Sequence, residues 1–186
     1  MRIVRLLLVL VALASLASVA RAADDWKRLH RQLHLPQTSG GCPTSRTREL
    51  GKWTFSVAAP VYLQNVGSAP VPGTIDISQS PVDDKGWRGQ KTPWLLPASY
   101  RGPVLIRAAR VDAAGPAVAL AKAYGDHLGE LRFWSGESNG ARGRIQGLPG
   151  RYRLLASASL FRAAGCYAFQ IDGSSFSSVV VVRVKS

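Results

Sequence analysis

Near the C-terminus the chain reads Gly165-Cys166-Tyr167-Ala168-Phe169-Gln170-Ile171-Asp172-Gly173-Ser174-Ser175-Phe176, and Ser177 to Arg183 follows with four consecutive valines. Tyr167, Phe169 and Ile171 alternate with Cys166, Ala168 and Gln170, the period of a half-buried strand. Asp172-Gly173 is the strong short-range signal for a type I′ hairpin turn, whose two central residues need positive φ. The valines suit a return strand with β-branched residues on both faces. The stretch therefore predicts a final β-hairpin, on which the rest of the fold is expected to pack.

Cys166 opens this hairpin, and the only other cysteine is Cys42. The first 22 residues carry a secretory pattern: Arg2 and Arg5, an apolar run from Leu6 to Val19, and Ala20-Arg21-Ala22 at a small-x-small cleavage position. The apolar run is short of the roughly 20 residues that a membrane span requires, so cleavage is expected and no transmembrane span in the mature chain. Two cysteines in an exported chain are expected to pair as Cys42–Cys166; two free thiols are the alternative. Such a bridge would close a loop of more than a hundred residues, worth about 4–5 kcal/mol in a chain-entropy model. The expected location is periplasmic or secreted.

Removing residues 1–22 takes away three arginines and no acid, so the net charge falls from +13 to +10 over the remaining 164 residues. That length suits one domain with a sizeable core. The charge favours contact with polyanions. In an exported protein these are anionic envelope polymers or lipid head groups. The plain alternative is solubility.

Residues 23–41 read as an N-terminal extension. Trp26, Leu29 and Leu33 fall at i, i+3 and i+7, and Pro36 stops the pattern, so a short amphipathic helix is expected. About ten residues are marginal for a helix alone, and a frayed extension is the expected state. The domain proper is placed at 42–186, from Cys42-Pro43. Trp53, Phe55 and Val57 alternate in a strand that Pro60 interrupts, as at a bend or edge. Thr74 to Ser78, Val104 to Val111 and Glu130 to Trp134 read as strands. Ala117 to Tyr124 is ambiguous between helix and strand. Residues 79–103 are rich in glycine and proline and read as a long loop, with Trp94-Leu95-Leu96 as a short strand inside it. Ala141 to Gln146 and Arg151 to Leu160 read as a hairpin around Gly147-Leu148-Pro149-Gly150. Eight to ten short strands between Gly/Pro turns indicate an all-β sandwich or barrel.

The chain resembles a group of functionally uncharacterised bacterial exported proteins with an immunoglobulin-like β-sandwich. The resemblance rests on Cys42-Pro43, on Trp94 followed by Gly102-Pro103-Val104-Leu105-Ile106-Arg107 to Asp112, and on Gly165 to Gly173 with Phe176 and the valine strand. It implies a disulfide-stapled sandwich and carries over no catalytic residue. Antibody domains place the corner tyrosine two residues before the second cysteine. Here position 164 is Ala and Tyr167 follows Cys166, so the antibody strand order is not implied.

Catalytic patterns are weak. Gly136-Glu137-Ser138-Asn139-Gly140 matches G-x-S-x-G, but no histidine follows Ser138 and no helix is in prospect, so Ser138 reads as a loop serine. His30 and His34 lie at i,i+4 without H-E-x-x-H or a third ligand, and no metal or cofactor is expected. The charge would suit nucleic acid, but an exported chain without a recognition motif argues against it. Two constellations remain. If Gln146 pairs with Arg151, Arg144 lies opposite Arg153, and Arg142, Arg144, Arg151 and Arg153 share one face. Like charges directly opposite are destabilising, so that face should see solvent or an anion. Trp87, Trp94 and Tyr100 form an aromatic set in the long loop, suited to stacking on sugar rings or, more plainly, to packing the loop onto the core. The sequence thus leads to a non-catalytic envelope module for an anionic glycan, lipid head group or protein partner. A small envelope hydrolase, and an inhibitor or assembly accessory that offers an edge strand, are the alternatives.

Overall fold

The computed structural model describes residues 26–38, 41–64, 71–115, 117–123, 125–137 and 142–186. The segment 1–22 and Ser138 lie outside the described residues. Among the described residues fourteen strands run in chain order: β1 (Thr47–Leu50), β2 (Trp53–Ala58), β3 (Val61–Gln64), β4 (Thr74–Asp76), β5 (Arg88–Lys91), β6 (Trp94–Pro97) and β7 (Val104–Arg110). They continue with β8 (Val118–Ala121), β9 (Glu130–Phe133), β10 (Arg142–Gly143), β11 (Tyr152–Leu155), β12 (Ala158–Phe161), β13 (Gly165–Gly173) and β14 (Phe176–Lys185). This exceeds the eight to ten expected, because β1 and β5 add to them, the strand that Pro60 interrupts divides into β2 and β3, and the span Arg151 to Leu160 divides into β11 and β12.

The strands form three sheets, ordered β1-β2-β3-β6-β11-β10, β5-β12-β8 and β4-β14-β13-β7-β9. The six-stranded and five-stranded sheets face each other as a β-sandwich, and the three-stranded sheet adds Leu120 and Phe161 to the same core. Alternation decides what lies between them. Val61, Leu63, Trp94, Leu96 and Leu155 point inward from the first sheet. Val104, Ile106, Phe133, Tyr167, Phe169, Ile171, Val180 and Val182 meet them from the other. The Trp94 and Phe169 rings pack edge to face with centroids 5.4 Å apart, a favoured aromatic geometry.

The terminal hairpin forms with two corrections. Gly173 pairs with Phe176, so the turn is Ser174-Ser175 and not Asp172-Gly173. Among the described residues no non-glycine has positive φ, which excludes a type I′ turn there. Gly173 is needed for closeness: a Cβ would sit 2.7 Å from the Tyr100 hydroxyl and collide with the Phe176 ring. β13 is also buried on both faces, not one. Its inner face meets the sandwich core; on its outer face residues 31–34 meet Gln170 and Asp172, and Cys42 and Val111 pack against Cys166 and Ala168.

The segment 26–38 is not frayed. Only residues 26–29 are helical, a single turn, because the rest runs extended across the five-stranded sheet. Trp26 and Leu29 bury themselves against Leu105. Pro60 proves to sit in the turn of a hairpin, since β2 and β3 pair antiparallel on either side of Ala59-Pro60, whose peptide bond is cis. Val118–Ala121 resolves the ambiguous alanine segment as a strand, because β12 pairs with it.

Candidate functional site

The disulfide Cys42–Cys166 forms, with an S–S distance of 2.11 Å, Cα atoms 5.4 Å apart and a sequence separation of 124. It lies in a small apolar cluster with Ala168 and Val181 on the outer face of the hairpin. It anchors the chain where the domain begins, four residues after Thr38, whose hydroxyl donates to the Val111 carbonyl at 3.2 Å.

The arginine face assembles differently from its sequence reading. β10 pairs Arg142 with Arg153, a register two residues away from Arg144 opposite Arg153. Arg153 is fully buried. Its guanidinium donates to the carbonyls of Glu137 at 2.6 Å, Gly102 at 2.8 Å and Trp134 at 2.9 Å. A charge is tolerated inside when its donors are met this fully. Arg153 is therefore a tie between β11 and the loops after β6 and β9, and is withdrawn from any solvated face. The Arg142 side chain is outside the description. Continuing the β10–β11 register by one step sets Arg144 opposite Arg151, and both are exposed.

Arg151 has a neighbour that sequence reasoning missed. Arg101 and Arg151 line a shallow concavity of about 400 Å³ with Pro97, Ala98 and Ser99. Arg101 lies fifty residues from Arg151 in sequence; the pairing of β6 with β11, extended by the Arg151 carbonyl accepting from Ala98 N at 3.1 Å, brings the two loops together. Neither guanidinium has an ion pair among the described residues.

The aromatic set packs inward. Trp94 is fully buried and Trp87 is 8% exposed. Arg162 stacks over the Trp87 ring at 4.5 Å, and His127 lies beside it. Tyr100 is half-buried; its hydroxyl donates to the Pro103 carbonyl at 2.7 Å and accepts from Ser174 N at 2.9 Å. These rings hold the long loop and the terminal turn to the body of the domain.

The second assembly that the sequence reading passed over lies on the outer face of the five-stranded sheet. Register sets two rows side by side: Glu130, Arg107, Gln170 and Val179, then Arg132, Leu105, Asp172 and Ser177. Asp172 is fully buried. It accepts from Arg107 at 2.8 Å, from the Ser177 hydroxyl at 2.6 Å and from the Gln170 amide at 3.0 Å. Arg31 of the N-terminal segment approaches it at 3.5 Å and donates to the carbonyls of Gly173 and Phe176. Gln170 clamps the segment's backbone, accepting from His34 N at 2.7 Å and donating to the Gln32 carbonyl at 3.0 Å. Arg107 donates to the Arg31 carbonyl. His30 meets Glu130 at 3.0 Å, and Trp26 packs edge to face on Trp134 at 4.9 Å. The signal was present: Gln170 and Asp172 are outward positions of one strand and Arg107 of its neighbour. Reading Asp172 as a turn residue concealed it.

Other acids are tied locally. Asp83 accepts from Trp87 N at 2.8 Å, which holds its carboxyl below the usual range, and it also meets His127 at 2.9 Å. Asp112 is held low by the Arg110 guanidinium at 2.6 Å and accepts from Cys166 N. Glu137 pairs with Lys122 at 2.8 Å. Among the described residues no three His, Cys, Asp or Glu side chains converge as metal ligands. No helix among them is long and apolar enough to cross a membrane.

Fold and surface together define a disulfide-tied all-β sandwich with one strapped polar face and one exposed arginine corner. No family model and no curated protein matches the chain. Among solved structures it is similar to a crystal structure of a point mutant of CfaE, the CFA/I adhesin of enterotoxigenic E. coli, at 13% identity and a TM-score of 0.29. The match covers 68% of this chain and 48% of that one, so the chain spans about half of the adhesin's length.

Proposed function

We propose that the protein is exported and serves in the cell envelope as a non-catalytic binding module that holds an anionic partner at the arginine corner. The observation that carries this reading is the pairing of Arg101 with Arg151 around one concavity, with no carboxylate among its lining residues. Arg110, Arg132 and Lys122 each have an acid beside them, in Asp112, Glu130 and Glu137, whereas neither Arg101 nor Arg151 has one among the described residues. Unpaired guanidinium groups present planar donor forks that suit phosphate, sulfate or carboxylate. Arg144, at the next register position, extends the same corner. The net charge of +13 over the whole chain draws such partners in. Export is supported by the secretory pattern of residues 1–22 and by a disulfide, which persists in oxidising compartments.

The test is co-sedimentation of the full chain with phosphatidylglycerol vesicles, alongside retention on an acidic polysaccharide, across a salt series. Binding to one of the two is expected to weaken steeply with ionic strength, and R101Q/R151Q to flatten that dependence. Retention indifferent both to salt and to the double substitution would overturn the reading.

A further inference from the structure

We propose that the outer face of the five-stranded sheet is a peptide-recognition surface, filled here by the chain's own residues 26–38, and that the same segment of a second copy can take that place. Ordinary covering of a sheet needs only apolar contact. This segment is instead read group by group. Its backbone is held at three points: Gln170 engages both Gln32 O and His34 N, and Arg107 engages Arg31 O. These contacts recognise any extended peptide, as main-chain bonds do in other peptide-binding modes. Its side chains are selected separately. Leu105 receives Trp26 and Leu29, while Trp134 flanks the Trp26 ring. Asp172, with the Gly173 and Phe176 carbonyls, receives the Arg31 guanidinium. The pattern selected is aromatic-x-x-Leu-x-Arg followed by an extended stretch.

The receiving groups do not depend on the segment for their own placement. Arg107, Gln170, Asp172 and Ser177 hydrogen-bond among themselves across β7, β13 and β14. The surface therefore stays formed when the segment leaves, with Asp172 still paired to Arg107. A tethered segment competes with a free one at an effective concentration in the millimolar range. Exchange between copies becomes visible only where the tethered segment is weakened.

The experiment uses two full-length variants. W26A/L29A/R31A has an intact surface and a weakened segment; D172N has an intact segment and a weakened surface. A fluorescent peptide of residues 24–38 is expected to bind the first variant saturably. Its affinity for wild type should be about tenfold lower or worse, since the tethered segment competes. Mixed together, the two variants are expected to sediment as a heterodimer, while each alone sediments as a monomer. No saturable peptide binding by a first variant whose circular dichroism matches wild type would overturn the proposal, as would a mixture that sediments as the sum of its parts. Should either variant lose its sheet signal, R31A and Q170A replace them in the same measurements. Because Arg101 and Arg151 lie on neither element, R101Q/R151Q should leave peptide binding unchanged, which separates this outcome from that of the anion-binding reading.

Discussion

The two sheets of the sandwich cover their outer faces by different physics. On the six-stranded sheet, Phe55, Leu95, Tyr62, Tyr152 and Leu154 form an apolar patch, capped by Ile145 and Leu148 from the loop after β10. That loop approaches so closely that a Cβ on Gly51 would strike the Gly147 carbonyl. Its contacts are non-directional, and the aromatic pairs Phe55–Tyr62 and Tyr62–Tyr152 meet edge to face at 6.3 and 6.1 Å. On the five-stranded sheet the covered groups are Arg107, Gln170 and Asp172, and the cover supplies a matching donor or acceptor for each. An apolar face accepts any cover of suitable volume. A buried charged face demands a specific one, because an unmatched polar group inside costs more than a lost apolar contact.

Removing the disulfide should give the largest effect. C42A/C166A is expected to lose about 4 kcal/mol in denaturant unfolding, the scale for closing a loop of that length. The loss should fall unevenly, with amide exchange at His34 rising more than at Tyr62, since Cys42 pins the chain beside the strapped face. Breaking the polar cluster comes next. D172N leaves Arg107 buried without its counter-charge and should cost about 3 kcal/mol, the low end of the scale for breaking a buried pair. R153M strips three carbonyls of their donor and should cost about 3 kcal/mol, and a mild effect would show that water replaces the guanidinium. On the apolar face L95M keeps volume and should cost less than about 1.5 kcal/mol, although Leu95 is as buried as its polar counterparts. A cost for L95M equal to that of D172N would abolish the contrast between the faces.

The smallest effects are pH-dependent and of opposite sign. Burial pushes the Tyr167 hydroxyl above its ordinary value of 10.0. The folded state therefore keeps a proton that the unfolded chain gives up, and stability should fall as pH rises beyond about 10. Y167F should remove that alkaline limb, at about 1 kcal/mol for the hydrogen bond to the Ala163 carbonyl. Asp112 is held low by Arg110, so its contribution is present above the ordinary carboxylate pKa and is lost as pH falls through the folded value. Urea midpoints of D112N and wild type should converge in acid.

Much of the fold was legible because strand periodicity and turn residues are local signals. β7, β9, β13 and β14 stand near where alternation puts them, and Trp94-Leu95-Leu96 is a strand. The hairpin that joins β10 to β11 was legible, but its register was not: Arg142, and not Arg144, stands opposite Arg153. Arg153 was misplaced because its fate rests on carbonyls of Gly102, Trp134 and Glu137, far away in sequence. Arg101 was missed for the same reason. The aromatic loop illustrates a related ambiguity, since a tryptophan beside polar groups has the same local signature whether it packs inward or stacks outward.

Alternation, Gly/Pro punctuation and cysteine count by themselves determined an all-β sandwich or barrel and two thiols suited to one bridge. Those properties depend on which neighbours a residue has along the chain. Tertiary structure alone decided that residues 26–38 lie across the hairpin, that Asp172 is an interior counter-ion instead of a turn residue, and which arginines stay in water. Each of these depends on donors and acceptors brought together from distant segments, and burial of a charge is decided by the complete set of its partners.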